Sequence, residues 1–119
     1  MTTLKVKIES LEQTMEALAD AMKAATGQAA PRGEFSLSFP SWEAMHGILT
    51  PKRLEIVKLM TGQGPLTMRE VARRAGRDFK AVHADLDTLL KSGVIDRVDD
   101  GVVFPYDRIH FEFEIESAA

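Results

Sequence analysis

Residues 66–95 carry the clearest periodic pattern in the chain: two stretches with apolar side chains at helical spacing, separated by Gly76. Thr67 and Glu70 have the spacing of a capping box, which predicts that a helix starts after Thr67 and ends at Gly76. Asp78 can cap a second helix. Apolar positions in that second helix recur every three or four residues: Val82, Leu86, Leu89 and Leu90. The pattern predicts two helices joined by a tight turn, each with one face in a core.

The opposite face of the second helix carries small and cationic residues near its start, which suits the major groove of DNA. The first turns of a helix in that groove meet the base edges. The residues predicted to read bases are Arg77, Lys80, Ala81, His83 and Ala84. Cations on the first helix and its neighbours are predicted to contact phosphates instead. These are Arg69, Arg73, Arg74, Lys52 and Arg97.

Three segments resemble the winged helix-turn-helix superfamily of bacterial and archaeal regulators, the group called MarR-like or ArsR-like. They read LTPKRLEIVKLM, GRDFKAVHADLDTLLKSGVI and VVFPYDRI, and the resemblance covers roughly residues 49–105. Ala72, four residues before Gly76, and Val82, six residues after it, match the family spacing. The resemblance implies a winged helix-turn-helix core that binds DNA. It also implies an antitoxin role as an alternative, because the family that these segments resemble includes antitoxins.

Asp85 departs from the simplest helix-turn-helix pattern, which has an aliphatic residue at this distance from Gly76. Leu86 takes that packing role one place later. An aspartate between the core and solvent faces is costly unless it is paired. We therefore expect a structural ion pair between Asp85 and Arg53, with Arg74 as the second choice of partner.

The two ends of the chain alternate apolar and polar residues, which predicts strands near residues 4–8, 35–39 and 109–115. A heptad-like spacing between the first two strands predicts a helix over residues 11–25, either a dimer seam or a cover for its own sheet. The residues predicted to support dimerisation are Leu11, Met15, Leu18, Met22, Ile109, Phe111, Phe113 and Ile115. Lys5 and Lys7 can face the glutamates of the last strand, so the terminal strands are expected to pair, within one chain or between two.

The remaining segments complete the expected core. Ser41 can cap a short helix, and Thr50 with the following proline predicts another helix. Asp100 and Gly101 lie between two β-branched runs, residues 94–98 and 102–104, and predict a hairpin in the position of a wing. The tip of this hairpin is acidic, which leaves Arg97 as its candidate phosphate contact.

Charge is unevenly distributed along the 119 residues, whose net charge is −3. Residues 50–92 contain nine Lys or Arg against five Asp or Glu, a balance of +4, and the rest of the chain carries −7. A basic centre in an acidic frame is expected of a DNA-binding protein with appendages that do not face DNA. A solvated basic helix face is the competing interpretation.

Several classes of protein are disfavoured. The chain has no cysteine and no run of about 18 apolar residues, so we expect a cytoplasmic protein without a membrane span. It has no Gly-rich phosphate loop or nucleophile elbow, and His46, His83 and His110 fall on separate predicted elements. We expect no enzymatic activity, no cofactor and no metal.

These observations predict an α+β fold with three parts. Residues 1–40 form an N-terminal strand-helix-strand for dimerisation or partner binding, residues 41–105 a winged helix-turn-helix, and residues 106–119 a strand that joins the N-terminal element in a separate dimerisation sheet. The predicted function is a dimeric, sequence-specific DNA-binding transcriptional regulator, a repressor. One alternative is an antitoxin that neutralises a toxin and represses its own operon. Another is a winged-helix module that binds proteins and not DNA.

Overall fold

The structure is a computed structural model that describes residues 2–9, 15, 16, 19 and 34–113. The described part is α+β, with four helices and two small sheets. The helices are α1 (Trp42–Ile48), α2 (Pro51–Met60), α3 (Met68–Ala75) and α4 (Phe79–Ser92). The strands are β1 (Thr3–Ile8), β2 (Glu34–Phe39), β3 (Asp96–Val98), β4 (Gly101–Val103) and β5 (Arg108–Glu112).

The chain divides into two compact units, Met1–Met45 with Arg108–Ala119, and His46–Asp107. The predicted helix over residues 11–25 lies outside the described residues, apart from Met15, Glu16 and Ala19, which are helical. No helix in the described ranges is long and apolar enough to cross a membrane.

The first unit contains a three-stranded sheet in the order β2-β1-β5, with both pairings parallel. The terminal strands therefore pair within one chain. Lys5 Nζ lies 3.6 Å from a carboxylate oxygen of Glu112, the pairing of lysine with glutamate that the alternation predicted. Leu4 and Val6 on the central strand are buried. The alternating pattern thus identified which terminal strands pair, although it carried no signal for whether they run parallel or antiparallel.

Alternation along these strands gives the sheet one apolar and one polar face. Leu4 lies opposite Phe35 and Ile109, and the next apolar row is Val6 with its neighbours Leu37 and Phe111. In the same unit, Ser41 caps α1 by accepting a 3.1 Å hydrogen bond from the Ala44 amide. Trp42, at the start of α1, packs edge-on against Phe113, with ring centroids 4.3 Å apart.

The second unit holds α2, α3, α4 and a β-hairpin around an aliphatic core. Each of these helices begins at its predicted cap: Thr50, Thr67 and Asp78 accept hydrogen bonds from the amides of Arg53, Glu70 and Ala81. Gly76 ends α3 and Gly93 ends α4, at φ 64° and 85°, which few side chains tolerate. The most deeply buried apolar side chains of this unit include Met60, Val71, Val82, Leu86, Leu89 and Val102.

The hairpin is shorter than predicted on its first strand. Val94 and Ile95 were predicted to belong to that strand, but both are buried, and both amides donate to the Leu89 carbonyl at the end of α4. The strand therefore begins at Asp96, where β3 pairs antiparallel with β4. Packing of the helix end overrides the local preference of these β-branched residues.

Leu66 joins the hairpin as a single antiparallel bridge, exchanging backbone hydrogen bonds of 2.9 and 2.8 Å with Val102. This approach explains the glycine at position 101. A Cβ there would lie 2.1 Å from the Leu66 carbonyl oxygen, and Gly101 has φ 138°. The segment before α3 is thereby held to the hairpin.

Candidate nucleic-acid interface

The start of α4 presents the candidate interface. Lys80, Ala81, His83 and Ala84 are all exposed there, whereas Val82 between them is fully buried. Burial of Val82 and Leu86 fixes the rotation of the helix, so the exposed set shares one face. Lys80 has no ion-pair partner in the described ranges, which leaves its ammonium available to a ligand.

Arg77, the fifth predicted base-reading residue, lies in a different environment. Its Nη1 is 2.9 Å from Asp85 Oδ2, while Arg53 Nε is 3.1 Å from Asp85 Oδ1. Asp85 therefore bridges two arginines, one of which is the partner expected from the sequence. Arg53 also donates to the Gly47 and Ile48 carbonyls at 2.9 and 3.2 Å, all within the second unit.

The two halves of this bridge are not equivalent. The contact between Arg53 and Asp85 is a hydrogen bond as well as an ion pair. Arg77 Nη1 and Asp85 Oδ2 are buried and close, but their alignment is outside hydrogen-bonding geometry, so charge alone joins them. Side-chain exposure is 20% for Arg53, 25% for Arg77 and 15% for Asp85. The Arg77 guanidinium is thus engaged in an ion pair within the protein, with Asp85.

Arg69 on α3 lies over the ring of Phe79 at the start of α4, with its guanidinium carbon 4.6 Å from the ring centroid. This cation–π contact holds the Arg69 guanidinium at the start of α4 without neutralising it. A shallow cleft of about 310 Å³ opens here between the two helices, lined by Arg69, Ala72, Arg73, Gly76, Arg77 and Phe79. Two of its arginines were predicted as phosphate contacts.

The other α3 arginines share one carboxylate. Arg73 forms a two-pronged contact with Glu70, and Arg74 Nε donates to Glu70 at 2.9 Å. Hydrogen bonds from Arg73 and then Arg74 lower the pKa of Glu70 from 4.5 to about 2, and the Glu70 contact raises the pKa of Arg73. Arg73 remains 71% exposed, so its guanidinium can exchange Glu70 for an external anion. Arg74 also donates to Gln63 at 3.0 Å and is more enclosed.

Lys52 and Arg97, the remaining predicted phosphate contacts, are both exposed, on α2 and β3 respectively. Later on α4, Lys91 pairs with Asp87 at 2.9 Å, and this hydrogen bond lowers the pKa of the Asp87 carboxyl. The exposed hairpin tip is acidic, with Asp99 and Asp100 both open to solvent. Cations therefore concentrate on α3 and the start of α4, and not at the hairpin tip.

Only some of the predicted dimerisation residues lie in the described ranges. Leu11, Leu18, Met22 and Ile115 lie outside the described residues. Met15 is 62% exposed, and Phe113 is 45% exposed. Ile109 and Phe111 are half-buried on β5. In the described ranges, no group of three His, Cys, Asp or Glu is placed to hold a metal ion.

Sequence reasoning missed four of these contacts. The Glu70 contacts with Arg73 and Arg74 follow a helical spacing of three and four residues, and Asp87 precedes Lys91 by four. That spacing could have identified all three of these pairs. The contact of Arg77 with Asp85 has no comparable signal, because it joins the turn to the middle of α4.

A family model, HVO_A0114, matches residues 48–111, more than half of the chain. The chain belongs to this family. The HVO_A0114 span contains α2, α3, α4, the hairpin and most of β5, and so includes the candidate interface. No curated protein and no solved structure gives a significant match.

Proposed function

We propose that the protein is a sequence-specific, double-stranded DNA-binding transcriptional regulator with a winged helix-turn-helix core, acting as a dimeric repressor. The observation that carries the proposal is the exposed face of Lys80, Ala81, His83 and Ala84 at the capped start of α4, beside the cations of α3. A helix N-terminus with small side chains can approach base edges closely, and a lysine there can reach guanine acceptors.

The fold around this face supports the assignment. Helix α3, the left-handed Gly76, helix α4 and the following hairpin succeed one another in the order of a winged helix-turn-helix. In this proposal α3 lies across the phosphate backbone, α4 enters the major groove, and β3–β4 is the wing. Phosphate contacts come first from Arg69 and Arg73, whose guanidinium groups are the more accessible on α3.

The ion-pair bridge narrows the set of base-reading residues. Arg77 is drawn inward to Asp85, and the base contacts are therefore assigned to Lys80, Ala81, His83 and Ala84. Arg77 instead positions the turn against α4. We expect its substitution to lower affinity for every sequence, because the orientation of the helix changes and no single base contact is lost.

The test begins with selection of binding sites from a random duplex library, followed by anisotropy measurements on the selected and scrambled duplexes at one fixed salt concentration. Lys80→Ala should cost about 1 to 3 kcal/mol on the selected site and less on the scrambled one. Lys91→Ala is the matched control on the same helix, and should be nearly silent on both duplexes. Failure to enrich any sequence would refute the proposed function, and equal losses on both duplexes would make Lys80 a phosphate contact.

The acidic hairpin tip favours one second candidate, a winged-helix module that binds a protein. Asp99 and Asp100 would repel phosphates at the position where a wing commonly meets DNA. A toxin neutralised by an antitoxin would be one such partner. The salt dependence of binding separates the two functions, because phosphate contacts weaken steeply between 50 and 200 mM salt and a mainly apolar protein contact does not.

A further inference from the structure

Strand β5 has β1 as its one neighbour among the described strands, so its outer edge offers unpaired backbone groups. The Arg108 amide donates to the Thr2 carbonyl at 3.3 Å, which shows that the backbone groups of Arg108 face β1. Because these groups alternate along a strand, those of Ile109 and Phe111 face the outer edge. This edge is ready to accept another strand.

The side chains of β5 form a pattern that is complementary to itself. Arg108, His110 and Glu112 share the polar face, and Ile109 and Phe111 share the apolar face. A twofold axis through His110 would place Arg108 of one copy opposite Glu112 of the other, twice. It would also place Ile109 opposite Phe111 on the other face, and opposite charges and apolar pairs across strands both stabilise a sheet.

The backbone agrees with this register. With the axis at His110, Ile109 and Phe111 of opposite copies form hydrogen-bonded pairs, and these are the residues whose backbone groups face outward. Contacts within the chain already orient the two charges: Arg108 Nε donates to the Thr3 hydroxyl at 2.8 Å, and Lys5 lies 3.6 Å from Glu112. Glu112 remains 53% exposed and can accept a second cation.

We propose that β5 pairs antiparallel with β5 of a second copy about a twofold axis at His110, giving a continuous six-stranded sheet. The occupant is a second copy because an isologous contact requires one surface to complement itself. On β2, the opposite edge strand, the described side chains of the polar face are Ser36 and Ser38, which carry no charge to pair with a second copy. This proposal supplies an interface for the dimer of the proposed function, but it is argued from β5 alone and does not depend on DNA binding.

Cysteine cross-linking tests the register without DNA, because the chain contains no cysteine. His110→Cys should form an interchain disulfide readily under mild oxidation, since residues facing each other in a non-hydrogen-bonded pair have Cα atoms about 4.5 Å apart, within disulfide range. Ser36→Cys on β2 is the control and should remain largely uncross-linked. Cross-linking of Phe111→Cys in place of His110→Cys would overturn the proposed axis, and preferential cross-linking of Ser36→Cys would overturn the choice of edge.

Charge exchange tests the complementarity, with the dimer dissociation constant measured by sedimentation of the full chain. Arg108→Glu should weaken the dimer at least tenfold, because it places glutamates opposite Glu112, and adding Glu112→Arg should restore most of the loss. Glu112→Arg alone provides the same test if Arg108→Glu does not fold, as judged by circular dichroism. Lys91→Glu is an unrelated charge reversal and should leave the constant unchanged. A monomeric wild-type protein at micromolar concentration, or no recovery in the double variant, would refute the proposal.

Discussion

Replacing Asp85 should reveal how strongly the arginine bridge stabilises the second unit. Asp85→Ala removes the carboxylate partner of Arg53 and Arg77, whose side chains are only 20% and 25% exposed. A hydrogen bond to a charged group contributes about 1.5 to 3 kcal/mol, and removing one partner of a fully buried pair costs about 3 to 5 kcal/mol. Partial exposure reduces the second figure, so we expect the free energy of unfolding to fall by about 2 to 3 kcal/mol.

Asp87→Ala is the matched control, because it removes the same side chain from the same helix two residues later. The Asp87 side chain is 46% exposed and its partner Lys91 is 77% exposed, so solvent screens this pair and it should contribute far less than the Asp85 bridge. Both substitutions gain the same helix propensity, which cancels in the comparison. Asp85→Ala should therefore be about 2 kcal/mol less stable than Asp87→Ala.

Urea unfolding followed by circular dichroism at 222 nm is the assay, because α2, α3 and α4 provide most of the described helix. A double-mutant cycle should give a larger coupling of Asp85 with Arg53 than with Arg77, since only Arg53 adds a hydrogen bond. Equal losses of unfolding free energy for Asp85→Ala and Asp87→Ala would refute the reasoning, because they would show that the arginine bridge is no stronger than a surface ion pair.

Two further predictions concern the glycine of the β3–β4 hairpin and the pH dependence of stability. Gly101→Ala should lower the free energy of unfolding in urea by about 2 to 3 kcal/mol, because it disrupts the two Val102–Leu66 backbone hydrogen bonds, at about 1 kcal/mol each, and adds backbone strain. Gly64 also has positive φ, but a Cβ there meets nothing within 4 Å, so Gly64→Ala should lower it by only about 1 kcal/mol. Because its folded pKa is lowered from 4.5 to about 2, Glu70 should contribute its full stabilisation above pH 4.5 and lose it as the pH falls through 2. The stability difference between wild type and Glu70→Gln should then be constant near neutral pH and largely lost by pH 2, and a difference undiminished at pH 2 would contradict this origin.

Local chemistry made the helix boundaries predictable. Thr50, Thr67 and Asp78 each accept the hydrogen bond expected of an N-cap, and Gly76 and Gly93 end α3 and α4. A cap involves residues within three or four positions of each other, so the sequence alone contains both partners. Helix α3 is a partial exception, because the Glu70 side chain binds Arg73 and Arg74 in place of the reciprocal bond of a capping box.

Longer-range geometry was predictable only in part. A period of two assigns side chains to faces, but it carries no information on strand direction, so the parallel pairing of β1 with β2 and β5 could not be derived. The Asp85–Arg53 pair was predictable because an aspartate between the core and solvent faces is costly unless a cation pairs with it. The second contact, from Arg77, depends on the path of the turn around Gly76, which is a tertiary property.

The internal ion pairs also limit how many phosphates one copy can neutralise. Three carboxylates engage five of the nine basic residues in residues 50–92: Arg53, Arg77, Arg73, Arg74 and Lys91. The other four are Lys52, Lys58, Arg69 and Lys80. While Arg73 and Arg74 stay bound to Glu70, these four and Arg97 on the hairpin can make at most five phosphate contacts, which corresponds to a slope of log K against log salt of about −4.5 per copy. All nine would give about −8. A measured slope well beyond −5 per copy would therefore mean that DNA competes for Arg73 or Arg74 and opens their contact with Glu70, and the same slope should then respond to Glu70→Gln.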